Sequence, residues 1–189
     1  MVDVIIINLQ KKKCLCIQFY SNQNPNIFDK AIIVIRNPLQ SFIAETNRIL
    51  TGGSPIRHAS IAQWKNITYV DNFTEKFLPF WKKIHHRILD NKFQKPIHLV
   101  QFEDMKTNLI GELTKILEFL KMEMNSEIEE CILQDPNGIY KRPQRSKEEL
   151  DIILSKFTES HLKQASEAYE NMITKFNEKI SVQSSKSLP

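Results

Sequence analysis

The chain reads as an α/β protein in which a small parallel sheet is covered by helices. Two apolar runs predict it: residues 31–35 (AIIVI) and 97–102 (IHLVQF). Both are too short for a buried helix, and the first has no polar break, as expected of a strand covered on both faces. Each run is followed by a segment with helical apolar spacing, and strands that alternate with helices build parallel sheets. With 189 residues, 41% hydrophobic and 25% charged, the chain suits one domain with a real core.

The elements follow in order. Residues 15–19 can form a strand, and 21–26 a polar turn, before the strand at 31–35. Asn37 is placed to cap the next helix, with Pro38 at its first position and Gln40 set to reach back. On that helix Phe42, Thr46, Ile49 and Leu50 make the expected inner stripe, while Ser41, Glu45 and Arg48 share the other face. The TGGSP run at 51–55 ends it, and Trp64 falls in a mixed loop. Residues 72–90 read as a helix with Phe73, Phe77, Phe80, Trp81, Ile84 and Ile88 at core spacing and Pro79 as a kink. The second strand ends in Glu103 and Asp104, after which Leu109, Leu113, Ile116, Leu117 and Leu120 mark a helix. A short helix at 128–133 precedes a strong DPNG turn at 135–138. Residues 146–157 and 160–180 are two closing helices, the last with Leu162, Ala165, Tyr169, Met172, Ile173 and Phe176 facing in. Residues 181–189 are polar and read as a disordered tail.

Bulk properties exclude little. A net charge of +4 favours an anionic ligand only slightly. Three cysteines, Cys14, Cys16 and Cys131, make neither a disulfide framework nor a zinc site, and read as buried thiols. The apolar run at 4–9 is too short for a membrane span, and the KKK run at 11–13 argues against a signal peptide and reads as solvated. Sequons at Asn66 and Asn72 say little in so Asn-rich a chain. A nucleic-acid-binding module would need a basic stripe, a helix-turn-helix or a glycine-flanked aromatic motif, and none is present.

The most informative stretch is KAIIVIRNPLQSFIAETNR, residues 30–48. It sets a permanent cation, Arg36, and a hydroxyl, Ser41, where a strand end meets a helix N-terminus. In α/β proteins that is where anions bind, and free N–H groups at the helix start are expected to help.

RNPLQSFIAETNR resembles the sulfotransferase block that runs from "IRNP" into "AExNR". Downstream, LVQFEDMKTNL resembles the strand–helix block "V-x-[YF]-E-[DE]-L", and NGIYKR resembles "G-x-[FY]-[KR]-R". The three ordered blocks cover residues 28 to about 145. They most resemble the sulfotransferase domain of WSC-domain-containing Golgi membrane proteins. The resemblance implies a P-loop-like fold, the donor 3′-phosphoadenosine-5′-phosphosulfate, no metal, and a glycan or other hydroxyl-bearing acceptor. It implies that Arg36 and Ser41 hold the donor's 3′-phosphate and that Lys141 and Arg142 close over it. It also places such a domain at the Golgi membrane or in its lumen.

The departures are specific. The family's first strand leads into a Gly- and Ser/Thr-containing loop that cradles the 5′-phosphosulfate. The four glycines here, Gly52, Gly53, Gly111 and Gly138, all follow Arg36. The Lys-Thr-His strand end of the family corresponds to residues 16–20, CIQFY, which carry neither the lysine nor the histidine. Ser41 also stands closer to the arginine than in the cytosolic branch. The expected organisation is therefore an atypical segment 1–27, an N-terminally truncated sulfotransferase domain 28–180, and the tail 181–189.

No catalytic residue is assigned. Glu45 is the nearest carboxylate, but its ordinary role is as a surface partner of Arg48. His85 and His86 point in different directions on a helix and read as a solvated pair rather than metal ligands. Glu103 and Asp104 read as capping or ion-pairing groups at a strand–helix turn. Trp64 and Trp81 read as packing residues rather than the lining of an acceptor cleft.

Overall fold

The computed structural model describes residues 3–8, 13–18, 29–54, 56–90, 96–124, 126–134 and 144–185, with side chains described from Asp29 onward. Four strands form one sheet in the order β2-β1-β3-β4, namely β1 (Asp3–Asn8), β2 (Lys13–Gln18), β3 (Lys30–Ile35) and β4 (Ile97–Gln101). The two apolar runs are the parallel pair β3–β4, with Ile33 opposite Leu99 and Ile35 opposite Gln101. This is the small parallel sheet among helices that the sequence predicts. It is extended by a hairpin: β1 is antiparallel to both β2 and β3, with Asp3 opposite Val34 and Ile7 opposite Lys30. The apolar run near the start of the chain is thus a sheet strand. The thiols of Cys14, Cys16 and Cys131, and the turn and basic pair at 135–143, lie outside the described residues.

Helices cover both sheet faces, which explains why β3 has no polar residue from Ala31 to Ile35. Ala31, Ile33 and Ile35 point into the main core, against Leu39 and Phe42 of α1 (Pro38–Leu50), Trp81 of α3 (Leu78–Asp90) and Met172 and Phe176 of α8 (Glu159–Ser185). Ile32 points the other way, with Val100, to Leu120 of α5 (Leu109–Leu120). Phe42 centres an aromatic cluster, with ring centroids 5.5 Å from Phe73, 5.2 Å from Phe77 and 6.0 Å from Phe157, all edge-on. Each such pair contributes roughly 0.5–1.5 kcal/mol beyond area burial. A satellite cluster holds Trp64 of α2 (Ile61–Lys65) against Ala59, Ile67 and Ile153 of α7 (Lys147–Leu154). Both tryptophans are therefore packing residues.

Several helix faces differ from the expected ones. On α1 the buried set is Pro38, Leu39, Ser41, Phe42, Thr46 and Asn47, while Ile49 is exposed. The inward face is turned toward Ser41 because Leu39 and Asn47 also seek partners inside. Phe80 is exposed, since Phe73, Phe77 and Trp81 already occupy the inward line. Ahead of Pro79 the chain makes a π-helical turn (Phe73–Phe77) in which the Leu78 N–H donates to the Phe73 carbonyl. The wide turn accommodates a proline that lacks an N–H and crowds the preceding carbonyl. On α8 the inward line is His161, Ala165, Ala168, Met172 and Phe176, and Leu162 is exposed. His161 is held there because its Nδ1 accepts the Thr158 N–H at 3.2 Å while its own N–H donates to Thr158 Oγ1. With no Gly or Pro to stop it, α8 runs on to Ser185, so residues 181–185 are helical rather than tail.

His85 is not solvated. It is buried, its ring centroid lies 3.9 Å from that of Trp81, and its Nδ1 is 2.7 Å from the Trp81 carbonyl oxygen, to which it donates. Burial pushes its imidazole down from 6.5 to about 4. The unfolded chain therefore takes up the proton first as pH falls. His85 contributes no penalty above pH 6.5, and stability drains away between there and about pH 4. The loss approaches about 3 kcal/mol. Urea midpoints recorded from pH 7 to pH 4 should fall for the wild type and fall measurably less for His85→Phe.

Candidate functional site

The parallel pairing brings the C-terminal ends of β3 and β4 side by side, so the residues that follow them are neighbours. Arg36 follows β3 and Phe102 follows β4, where it opens α4 (Phe102–Thr107). The Arg36 guanidinium carbon lies 4.5 Å from the Phe102 ring centroid. Lys106, one turn along α4, places its Nζ 5.0 Å from the same ring. Two cations thus share one aromatic ring. Burial lowers the proton affinity of Lys106, and the Arg36 charge lowers it further, while Glu103 pulls it back up. Lys106 lies outside the motif residues that the resemblance singled out. The readable signal for it was its i,i+4 spacing from Phe102 on a short helix.

The N-terminus of α1 differs from expectation in a way that matters for anions. Asn37 caps the helix as predicted, its Oδ1 accepting from the N–H groups of Leu39 at 2.9 Å and Gln40 at 3.4 Å. Pro38 has no N–H, and the Ser41 N–H donates to the Asn37 carbonyl at 2.9 Å. The Asn37 N–H, which Gln40 was expected to satisfy, instead donates to Glu103 Oε1 at 3.1 Å. Every amide of the first turn is engaged, so free N–H groups for a ligand are not available there. The second oxygen of Glu103, Oε2, accepts from the Tyr169 hydroxyl of α8 at 3.0 Å, with Gln101 Oε1 3.2 Å from the same hydroxyl. Burial and the neighbouring Glu103 hold the Tyr169 phenol well above its ordinary range. Glu103 is thus a capping and tethering group, and Asp104 accepts from Gln101 Nε2 at 3.2 Å.

Ser41 is buried rather than on the outer face of α1, and its hydroxyl oxygen has no hydrogen-bond partner among the described residues. Lys141 and Arg142 lie outside the described residues. Glu45 is held by Arg48 in a two-pronged contact, with Nε 2.8 Å from Oε2 and Nη2 2.6 Å from Oε1. That fork keeps its carboxyl below the usual carboxylate range. Asn47, next in the motif, is a structural hub. Its Oδ1 accepts from the Ala59 N–H at 2.8 Å and from Arg145 Nη2 at 3.0 Å, and its Nδ2 donates to the Arg57 carbonyl at 2.9 Å. Arg145 also donates to the Ala59 carbonyl at 2.9 Å, tying the segment before α7 to α1. Among the described residues no group of three His, Cys, Asp or Glu side chains is placed to hold a metal ion. Among them too, no helix is long and apolar enough to cross a membrane.

The profile of the sulfotransferase domain matches residues 22–186, most of the chain. The chain belongs to the sulfotransferase domain family. It is similar to a WSCD family member of Aedes aegypti and to one of Drosophila melanogaster, each 31% identical over 120 residues. That stretch is 62% of this chain and 37% of either relative, so the chain spans little more than a third of the curated relatives it matches. No solved structure matches it. The relationship accounts for the order of the three blocks. The geometry separates their roles: Arg36 stands at the strand ends, while Asn47 and Arg145 brace the scaffold behind it.

Asn47→Ala should cost roughly 2–3 kcal/mol in denaturant unfolding, because it strands the buried Ala59 N–H and takes one of the acceptors from the Arg145 guanidinium. Removing the adjacent, largely exposed Glu45–Arg48 pair should cost less than about 1 kcal/mol in the same measurement.

Proposed function

We propose that the chain is a sulfotransferase domain whose strand-end site grips the 3′-phosphate end of 3′-phosphoadenosine-5′-phosphosulfate, for transfer of sulfate to a hydroxyl of a glycan or similar acceptor. The observation that carries this reading is the position of Arg36. It stands at the C-terminal edge of a parallel strand pair, over the ring that opens the neighbouring helix, in a chain of this family. The residues present fit a phosphate at that place. A guanidinium offers paired, charge-assisted donors. The buried Ser41 hydroxyl on the first turns of α1 still has a hydrogen bond to give. Lys141 and Arg142, by resemblance, complete the grip. When bound, the donor supplies an activated sulfuryl group and a phosphate leaving group. The same resemblance assigns the reaction to the Golgi.

One observation favours a second reading, in which the chain binds the nucleotide without transferring sulfate. Because β1 runs antiparallel to β3, its C-terminal end lies beside Lys30, at the opposite end of β3 from Arg36. No glycine precedes Arg36. Neither the direction of β1 nor the composition before Arg36 matches the family's Gly-containing cradle for the 5′ end of the donor. Nor, among the described residues, are the carboxylates of Glu45 and Glu103 uncommitted: Glu45 is held by Arg48, and Glu103 by Asn37 and Tyr169.

Two measurements separate the readings. Calorimetric titration with adenosine 3′,5′-bisphosphate should show binding that Arg36→Ala weakens by about 10- to 100-fold. Equal affinity in the two proteins would remove Arg36 from the site. Incubation with labelled donor and a panel of glycans should then give transfer under the first reading and binding alone under the second.

A further inference from the structure

We infer that the outer face of α3 is a docking surface for a second copy of this chain, which lays its α6 (Ser126–Gln134) along it in the antiparallel sense. The inference is independent of the nucleotide reading, since none of its residues belongs to the strand-end site.

The inward face of α3 is occupied by Leu78, Trp81, His85 and Ile88. On the other side Phe80, Lys83 and Arg87 stand at i, i+3 and i+7, so they form one line along the helix. Phe80 is 56% exposed, and Lys83 and Arg87 are exposed with it. Lys82 adds another exposed cation beside them. Aromatic rings and arginines are the side chains that interfaces favour. Among the described residues, neither the Lys83 nor the Arg87 side chain makes a hydrogen bond or an ion pair. Asp90, one turn beyond Arg87, acts on Lys179 of α8 and favours its charged form.

The complement stands on the same chain. α6 reads SEIEECILQ and carries no basic residue. The nearest one in sequence is Lys121, before the helix starts. Glu127, Glu130 and Leu133 stand at i, i+3 and i+6, again in one line. All three are exposed, Leu133 at 62%, and Glu129 adds another exposed carboxylate. Among the described residues, neither the Glu127 nor the Glu130 side chain makes a hydrogen bond or an ion pair.

The order along the two lines decides the sense. Laid antiparallel, Phe80 meets Leu133, Lys83 meets Glu130 and Arg87 meets Glu127. Laid parallel, a charge would fall on an apolar side chain at both ends. The antiparallel sense also sets the negative end of the α3 dipole beside the positive end of α6. The two spacings differ by one residue, about 1.5 Å of helical rise, which long charged side chains absorb. The contact joins two different faces, so each copy offers its α3 to one α6 and its α6 to one α3. Exposed ion pairs add little affinity each but fix register, and the association is therefore weak and salt-sensitive.

The test is sedimentation velocity of the full chain at about 10–200 µM, in low salt and in about 0.5 M salt. The wild type should form species above the monomer that grow with concentration and recede at high salt. Lys83→Glu combined with Arg87→Glu should weaken the association by at least about tenfold, and so should Glu127→Lys combined with Glu130→Lys. The chain with all four substitutions keeps the wild-type net charge and restores the matching, so it should recover the association to within about threefold. Circular dichroism confirms that each variant is folded. A wild type that stays monomeric throughout, or a fourfold variant as weak as either pair, would overturn the inference. So would a monomeric wild type that cosediments with phosphatidylserine vesicles through Lys83 and Arg87, which would assign this face to a lipid surface instead.

Discussion

The carboxylate of Glu103 is the contact on which the arrangement at the strand ends depends. One oxygen takes the Asn37 N–H and the other the Tyr169 hydroxyl. Through these two bonds the start of α1, the start of α4 and the middle of α8 meet at one point, joining parts of the chain 66 residues apart in either direction. Hydrogen bonds to an ionised group are the stronger kind, each contributing roughly 1.5–3 kcal/mol. The hydrophobic effect brings α8 onto the sheet through Met172 and Phe176, but it is non-directional. The β3–β4 pairing sets Arg36 beside Phe102, and the two directed bonds of Glu103 orient α1 and α8 against that edge.

That same contact decides which forces are left for a ligand. A helix N-terminus attracts anions through its free N–H groups and its dipole. Here Glu103 is the anion at the start of α1, and Asn37 takes the remaining donors. Under the proposed function, a phosphate here would be held by side-chain charge rather than by a backbone nest. Side-chain cations are more sensitive to salt than buried amide donors, because they remain partly in water. Arg36 and Lys106 are both kept near one another by the Phe102 ring, whose face attracts cations.

Local features of the sequence were legible, and contacts between distant residues were not. The apolar run of β3 announced a strand covered on both faces, and Asn37-Pro38 announced a helix start, because both depend on a few adjacent residues. Trp64 announced a packing role by its size. The partner of the Asn37 N–H could not be read locally, since Gln40 had the spacing of a capping box and Glu103 satisfies the group from another element. Ser41 was assigned to the outer face by counting from Glu45 and Arg48. It is buried because the inward side of α1 is wider than a single stripe. His85 was read as solvated because paired histidines on a helix look polar, yet its Nδ1 finds an acceptor in the Trp81 carbonyl and its ring packs as an aromatic. The π-helical turn before Pro79 was signalled only as a kink. Lys106 is legible after the fact, one helical turn from Phe102.

The protonation states at the strand ends argue that this cluster is binding machinery rather than acid–base machinery. Sulfuryl transfer to a hydroxyl needs a group that accepts the acceptor's proton as its oxygen bonds to sulfur, and an efficient base has a pKa near the working pH. Tyr169 is pushed in the wrong direction, its phenol holding the proton more firmly than usual. Glu45 is pushed in the other wrong direction, its proton affinity lowered by Arg48. Both oxygens of Glu103 accept from donors that position α1 and α8. Among these groups Tyr169 and Glu45 are shifted away from the range of an efficient base, which fits the proposal that the strand ends bind the donor and that the proton acceptor lies outside this cluster.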